Sequence, residues 1–300
     1  MTGKVAFFHL PGMYEFFDFY KEFLPLFRNK REYFYEWAEI GSIYGSPMNC
    51  IWSGGRIETS DADDMDVIQL LNEYDVSARL TLSNSLLNKE HLSDIRCNKI
   101  CDLFYKYSKS ECGIIIHSDL LLEYLSIKYP DFYFISSTTK VITDFEALKD
   151  EVDRKEFKYV VPDFRHNKSL NLLDSFTQEQ KNKIEFLCNE CCSFGCRERK
   201  ECYKSVSHIV LYDDEPLHRC SSAYASEGYV FSKAMENPGF ISVDDIKNTY
   251  MPLGFENFKI EGRSLGSALI LEFILYYMTK PEYQLKVREE IYLNHSLDLF

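Results

Sequence analysis

The chain lacks any apolar run of the roughly 18–20 residues that a membrane-spanning helix needs. Its longest, "ALILEFILYYM" (Ala268–Met278), is interrupted by Glu272. It also lacks an excess of positive charge. A net charge of −13 over 300 residues argues against the basic face that nucleic-acid binding requires, and the basic tract Arg197–Lys200 sits among acids. No G-x-G-x-x-G follows the first strand, so a dinucleotide fold has no phosphate turn here. No G-x-S-x-G elbow is present, and "HSD" (His117–Asp119) is not a serine-hydrolase triad. There is no internal repeat and no Gly/Ser/Pro-rich linker. The opening "MTGKVAFFHLPG" has one lysine and an apolar run too short for a signal peptide. These absences lead us to expect a cytoplasmic protein without a membrane or nucleic-acid partner.

What is present suits one large core. Hydrophobic residues make up 45% of the chain and charged residues 27%. Short apolar runs alternate with helix-spaced segments. Strands are expected near Glu39–Tyr44, Ala78–Thr81, Gly113–His117, Phe132–Ser136, Lys158–Val161, Ile184–Cys188, Gly239–Ile241 and Phe258–Gly262. Between them, "DADDMDVIQLLNEYD" and "SDLLLEYLSIKYP" read as helices, and "SVDDIKNTYMPLG" opens with a cap at Ser242 and Asp245. Strand–helix alternation repeated eight times predicts a (β/α)8 TIM-type barrel over 38–300; an open doubly wound sheet is the alternative. Residues 1–37, with the aromatic amphipathic "EFFDFYKEFLPLF", read as a helical extension. Residues 189–238 form an unusually long connection, and such loops are usually functional.

That connection holds the cysteines that fit no core pattern. Five of the ten lie in "FLCNECCSFGCRERKECY" (Phe186–Tyr203). Cys97, Cys101, Cys112 and Cys188 lie on apolar faces and read as packing residues. Cys192, Cys196 and Cys202 stand among Gly, Ser, Arg, Glu and Lys, with Cys220 eighteen positions on. In a cytosolic chain such clustering points to metal or redox chemistry. Zinc favours paired C-x2-C knuckles, and only Cys188 and Cys191 give that spacing. The C-x3-C-x2-C signature of radical enzymes fails, because Arg199 stands where the third cysteine belongs. Four thiolates from one loop suit a [4Fe–4S] cluster or a tetrahedral zinc. Cys191 is the alternative to its neighbour Cys192.

The tract NE-x-C-x3-C-x-x-R followed by an aromatic (Asn189–Tyr203), then "GFISVDDI" and "GFENFKIEGR", resembles the barrel proteins related to collagenase-like U32 peptidases, in particular an uncharacterised iron–sulfur branch of them. "IGSIYGSPMNCIWSGGR" and "ISSTTK" strengthen the likeness, which runs from Leu10 to about Lys280. It implies a (β/α)8 barrel and a [4Fe–4S] cofactor. It also implies an oxygen-independent, hydroxylation-like step on a small or polymer-borne substrate, with a redox partner. One departure is that many relatives have a His where this chain has Cys202. A metal-dependent hydrolase and a non-catalytic zinc or cluster protein that binds a partner are the competing classes.

In a barrel the chemistry gathers where strands end. In "FKIEGR", Lys259, Glu261 and Arg263 share one face by period two and should point inward, while Phe258 and Ile260 point to the helices. They form either a self-balancing ion network or a pocket for an anionic or hydroxylated substrate. Arg263 suits a carboxylate or phosphate. Further candidates at strand ends are Arg56, Asn84, Lys140 and Arg165 for substrate binding. His117, Asp163, Glu190, Lys259 and Glu261 are the candidate catalytic groups, His117 with the alternative of capping the next helix.

Overall fold

The computed structural model describes residues 4–54, 62–213, 216–222, 229–263 and 265–296. Eight parallel strands form one sheet: β1 (Ala6–Pro11), β2 (Ala38–Gly45), β3 (Ala78–Leu82), β4 (Gly113–Ile116), β5 (Tyr133–Ser136), β6 (Phe157–Val160), β7 (Glu185–Leu187) and β8 (Asn257–Lys259). Their spatial order is β6-β5-β4-β3-β2-β1-β8-β7, and a parallel bridge from Val160 to Ile184 joins the two ends. This is a (β/α)8 TIM-type barrel.

The strands alternate as a barrel wall must. Ile114 and Ile116 of β4, and Phe258 of β8 with Ile260 just after it, pack outward into the large core between sheet and helices. Ile115, Ile135, Val161, Leu187 and Tyr44 form a second, smaller apolar cluster inside the ring. Helix starts follow local chemistry. Asp63 caps Asp64–Tyr74, Ser118 caps Asp119–Lys128, and Ser242 with Asp245 forms a reciprocal capping box. Among the described residues no helix is long and apolar enough to cross a membrane.

Two differences from the sequence reading matter for the site. Residues 1–37 are not only helical: Ala6–Pro11 is β1, paired with both β2 and β8. Helix Phe17–Asn29 follows it and buries Phe19, Phe23 and Phe27 on one face. Conversely, Gly239–Ile241 is not a strand; the Ile241 amide donates to Cys188 O, but no ladder develops. The two errors share a cause. A ring of eight has one place beside β8, and the apolar Ala6–Leu10 fills it from a distant part of the chain. The connection 189–238 is likewise not all loop, for it carries the helix Arg199–Tyr212.

Candidate functional site

The barrel axis carries charge from its floor upward. Arg79 of β3, Glu185 of β7, Lys259 of β8 and His9 of β1 are all buried within it. Arg79 Nη1 meets Glu185 Oε2 at 2.5 Å, and its Nε donates to the Tyr133 hydroxyl at 2.9 Å. Lys259 Nζ lies 3.4 Å from Glu185 Oε1 and 3.5 Å from the centre of the Tyr44 ring. His9 pairs through Nδ1 with Ser42 Oγ at 2.8 Å and through Nε2 with Asn257 Oδ1 at 3.2 Å.

One carboxylate thus serves two cations. Burial alone would raise the Glu185 carboxyl, but Arg79, His9 and Lys259 overcome it and hold it at about 2. Burial pulls the Lys259 ammonium down; Glu185 opposes that and Arg79 adds to it, leaving it at about 8. Burial and Arg79 push the His9 imidazole down to about 3.

Above this floor lies a cavity of about 80 Å³. Lys259 forms part of its base. Its walls include Thr81 of β3 and Ser83 just after it, Ser137–Thr139 after β5, Glu190 after β7, Glu261 and Arg263 after β8, and Tyr203 from helix Arg199–Tyr212. Lys259, Glu261 and Arg263 therefore share the lumen side, although β8 ends at Lys259. The Thr81 Oγ1 and Ser83 Oγ hydroxyls are buried and have no hydrogen-bond partner among the described residues. Arg263 Nη1 donates to Ser46 Oγ at 2.7 Å and Nη2 to Gly54 O at 2.8 Å. Gly54 must be small, because a Cβ there would fall 2.5 Å from the Ser83 carbonyl. Asn189 ties the last turns of the wall together: its side chain accepts from Glu261 N at 2.7 Å and donates to Glu261 O at 3.0 Å.

Other expected residues lie behind the wall. Arg199 is buried between Asp163 Oδ2 (2.8 Å), Glu190 Oε2 and the Tyr203 hydroxyl (2.9 Å). Asp163 also accepts from Arg165 Nε at 2.6 Å; burial raises its carboxyl, but the two arginines draw it below the usual carboxylate range. Asp163 and Glu190 are therefore joined through Arg199, and Asp163 serves as an anchor. Arg165 reaches Cys196 O at 2.8 Å and steadies the cysteine segment. Lys140 is paired with Glu151 at 2.5 Å. Asn84 donates to Ile51 O and Ser207 O, holding helix Arg199–Tyr212 against the loop after β2. His117 Nδ1 contacts Thr139 Oγ1 at 2.9 Å from behind; burial, with Lys140 and Lys200, lowers its imidazole to about 4. Arg56 lies outside the described residues.

Cys192, Cys196 and Cys202 are half-buried and Cys220 is exposed. Among the described residues, one set of three ligand groups comes within 4.8 Å of one another: Glu190, Cys191 and Glu261. Cys192, Cys196, Cys202 and Cys220 form no such single-ion set.

Sequence reasoning missed Arg79, Glu185, His9 and Ser83. The signal for the first two was a lone charge inside an apolar strand, in "ARLTL" and "IEFL", at a position that alternation turns inward.

No protein-family model matches the sequence, and no curated protein matches it. Among solved structures, the chain is similar to "The Structure of the U32 Peptidase Mk0906", with a TM-score of 0.52 and 12% identity, covering 87% of this chain and 94% of that one. At that identity the likeness is one of fold. It supports a U32-like barrel.

Proposed function

We propose that the chain is a barrel enzyme that takes a small anionic or hydroxylated group, free or borne on a polymer, into the mouth cavity and modifies it in an oxygen-independent redox step. The observation that carries this reading is the wall with Thr81 and Ser83. Two buried hydroxyls without a hydrogen-bond partner among the described residues line the same cavity as Arg263 and Lys259. Leaving such a group dry costs about 1–3 kcal/mol, and a ligand oxygen would remove that cost. Ser46 and Gly54 fix the plane of the Arg263 guanidinium, whose remaining N–H groups suit a carboxylate or phosphate. Lys259, at about 8, is placed to exchange a proton near neutral pH.

The donor chemistry of the loop fits an iron–sulfur group. Cys192, Cys196, Cys202 and Cys220, with Cys191 as the alternative to Cys192, would hold it, and a [4Fe–4S] cluster would supply one-electron chemistry. Arg165 and Arg199 both lie within electrostatic reach of the Cys192 sulfur, and positive charge favours thiolates. Protein prepared without oxygen should be brown, with about four irons and four sulfides per chain. Cys192→Ser, Cys196→Ser or Cys202→Ser should lower the iron sharply, while Cys101→Ser should not. A colourless preparation holding one zinc would replace the redox reading with the zinc alternative. Small carboxylates, phosphates and polyols should raise the melting temperature; no response to any of them would overturn the substrate site.

Metal-assisted hydrolysis is the second reading, favoured by the ion-sized set Glu190, Cys191 and Glu261.

A further inference from the structure

We infer that Glu190, Cys191 and Glu261 form a mononuclear site for a divalent transition ion, set into the wall of the cavity and separate from the C-x3-C-x5-C thiols. Cys191 Sγ lies 3.8 Å from Glu190 Oε1 and 4.0 Å from Glu261 Oε1, and all three ligand atoms fall within 4.8 Å. Ligands at about 2.0–2.3 Å from a tetrahedral ion stand about 3.5 Å apart. Closing the site takes a contraction of about 0.3–0.5 Å between the sulfur and each carboxylate and of up to about 1.3 Å between the two carboxylates.

The frame that brings them together is built without the ion. Glu190 and Cys191 follow β7, and Glu261 follows β8. The paired bonds between Asn189 and the Glu261 backbone fasten the two turns side by side. Arg199 holds the other Glu190 oxygen, so Oε1 is turned toward Cys191. Such preorganisation is what a metal site requires of its surroundings.

The donor set selects the ion. Two carboxylates alone would suit calcium or magnesium, but a thiolate beside them favours zinc, iron(II) or cobalt(II). Three protein ligands leave a fourth position, as catalytic zinc sites do. Glu190 and Glu261 both border the cavity, so that position faces it. A second, independent observation points to a ligand in the same space: the buried hydroxyls of Thr81 and Ser83, which have no hydrogen-bond partner among the described residues. An ion on one wall and hydroxyl donors on another would grip an oxygen-bearing ligand from two sides. This step rests on the reading of the cavity as the substrate site.

Cobalt(II) titrated into the full chain, prepared without oxygen so that the loop thiols keep their own metal, and read as a difference spectrum, is the test. One equivalent should bind and give the near-ultraviolet absorption of a thiolate-to-cobalt transition, and zinc should displace it. Cys191→Ser should abolish that band, and Glu261→Gln should weaken cobalt binding at least tenfold. Cys192→Ser and Cys202→Ser should leave both unchanged. Circular dichroism of each variant checks folding; if Cys191→Ser does not fold, Glu261→Gln and the wild-type spectrum decide. Absence of the band in wild type, its survival in Cys191→Ser, or its loss in Cys192→Ser would overturn the site. The two readings fail separately. Thr81→Val should lose stabilisation by small anions and polyols yet keep cobalt, so loss of cobalt alone condemns the ion and loss of ligand response alone condemns the cavity.

Discussion

The floor of the barrel and its mouth are both charged, but they spend their charge differently. On the floor, Glu185 is shared by Arg79, Lys259 and His9, and Tyr133, Ser42 and Asn257 take up further polar atoms. At the mouth, Glu190, Cys191, Glu261 and Arg263 crowd a cavity in which two hydroxyls have no partner among the described residues. Buried charge that serves the fold is closed upon itself, because an uncompensated ion in a low-dielectric interior is expensive. Charge that serves a ligand leaves part of its bonding unfinished. Lys259 belongs to both regions: it pairs with Glu185 at a longer distance than Arg79 does, and it lines the cavity.

The contrast can be broken most severely at Glu185. Glu185→Gln leaves Arg79 and Lys259 facing each other without a counter-ion, and should cost about 3–5 kcal/mol in urea unfolding. A loss below about 1 kcal/mol would mean the floor is not a closed network.

Acid should weaken the floor. His9 takes up a proton near pH 3 in the fold but near 6.5 when unfolded. Its contribution is therefore complete above pH 6.5 and drains away as the pH falls toward 3. The unfolded chain binds the extra proton in that window, so stability falls by ~1.4 kcal/mol per unit. Glu185 adds to the loss in the same direction between about 4.5 and 2. Unfolding free energies measured from pH 7 to 4 should show this slope together with a similar one from His117, which is held at about 4, so His9→Gln should about halve the total.

Arg263→Lys sharpens the other half of the comparison. It keeps the charge but loses the fork that engages Ser46 and Gly54. Binding of small carboxylates or phosphates should weaken at least tenfold by calorimetry, with about 1 kcal/mol lost from stability. Equal losses in both would show Arg263 to be part of the scaffold only.

The smallest effect should come from Thr81→Val. It removes a hydroxyl that has no partner among the described residues, so unfolding should be unchanged or improved by about 1 kcal/mol. Hydroxylated ligands should bind more weakly all the same. A clear loss of stability would show that the hydroxyl already had a partner.

Much of the barrel was legible in the sequence because strand alternation and helix caps are local. β2 through β7 fall within a residue or two of the expected runs, and Ser242 caps as its spacing suggested. β1 was not legible, because "AFFHLP" has neither a polar alternation nor a preceding helix to mark it. The inward turn of Lys259, Glu261 and Arg263 was legible from period two, whereas what each would meet was not. Asp163 and Arg165 read as mouth residues because they follow β6. Their neighbour Arg199 comes from 34 residues beyond Arg165, and it is this long-range partner that draws Asp163 into an anchoring role.

The sequence by itself determined that parallel strands would alternate with helices, that one face of the last strand would be charged, and that the chain's polar cysteines would lie in one long connection. Those properties depend on residue type and spacing within a single element. Only the tertiary structure decided that Ala6–Pro11 stands between β2 and β8, that Glu185 balances Arg79 and Lys259, and that the Cys191 thiol stands beside the Glu190 and Glu261 carboxylates. Each of these depends on where separate elements meet around the barrel. Ion pairing and ligand geometry act over a few ångströms between residues up to 100 or more positions apart, and no local pattern carries that distance.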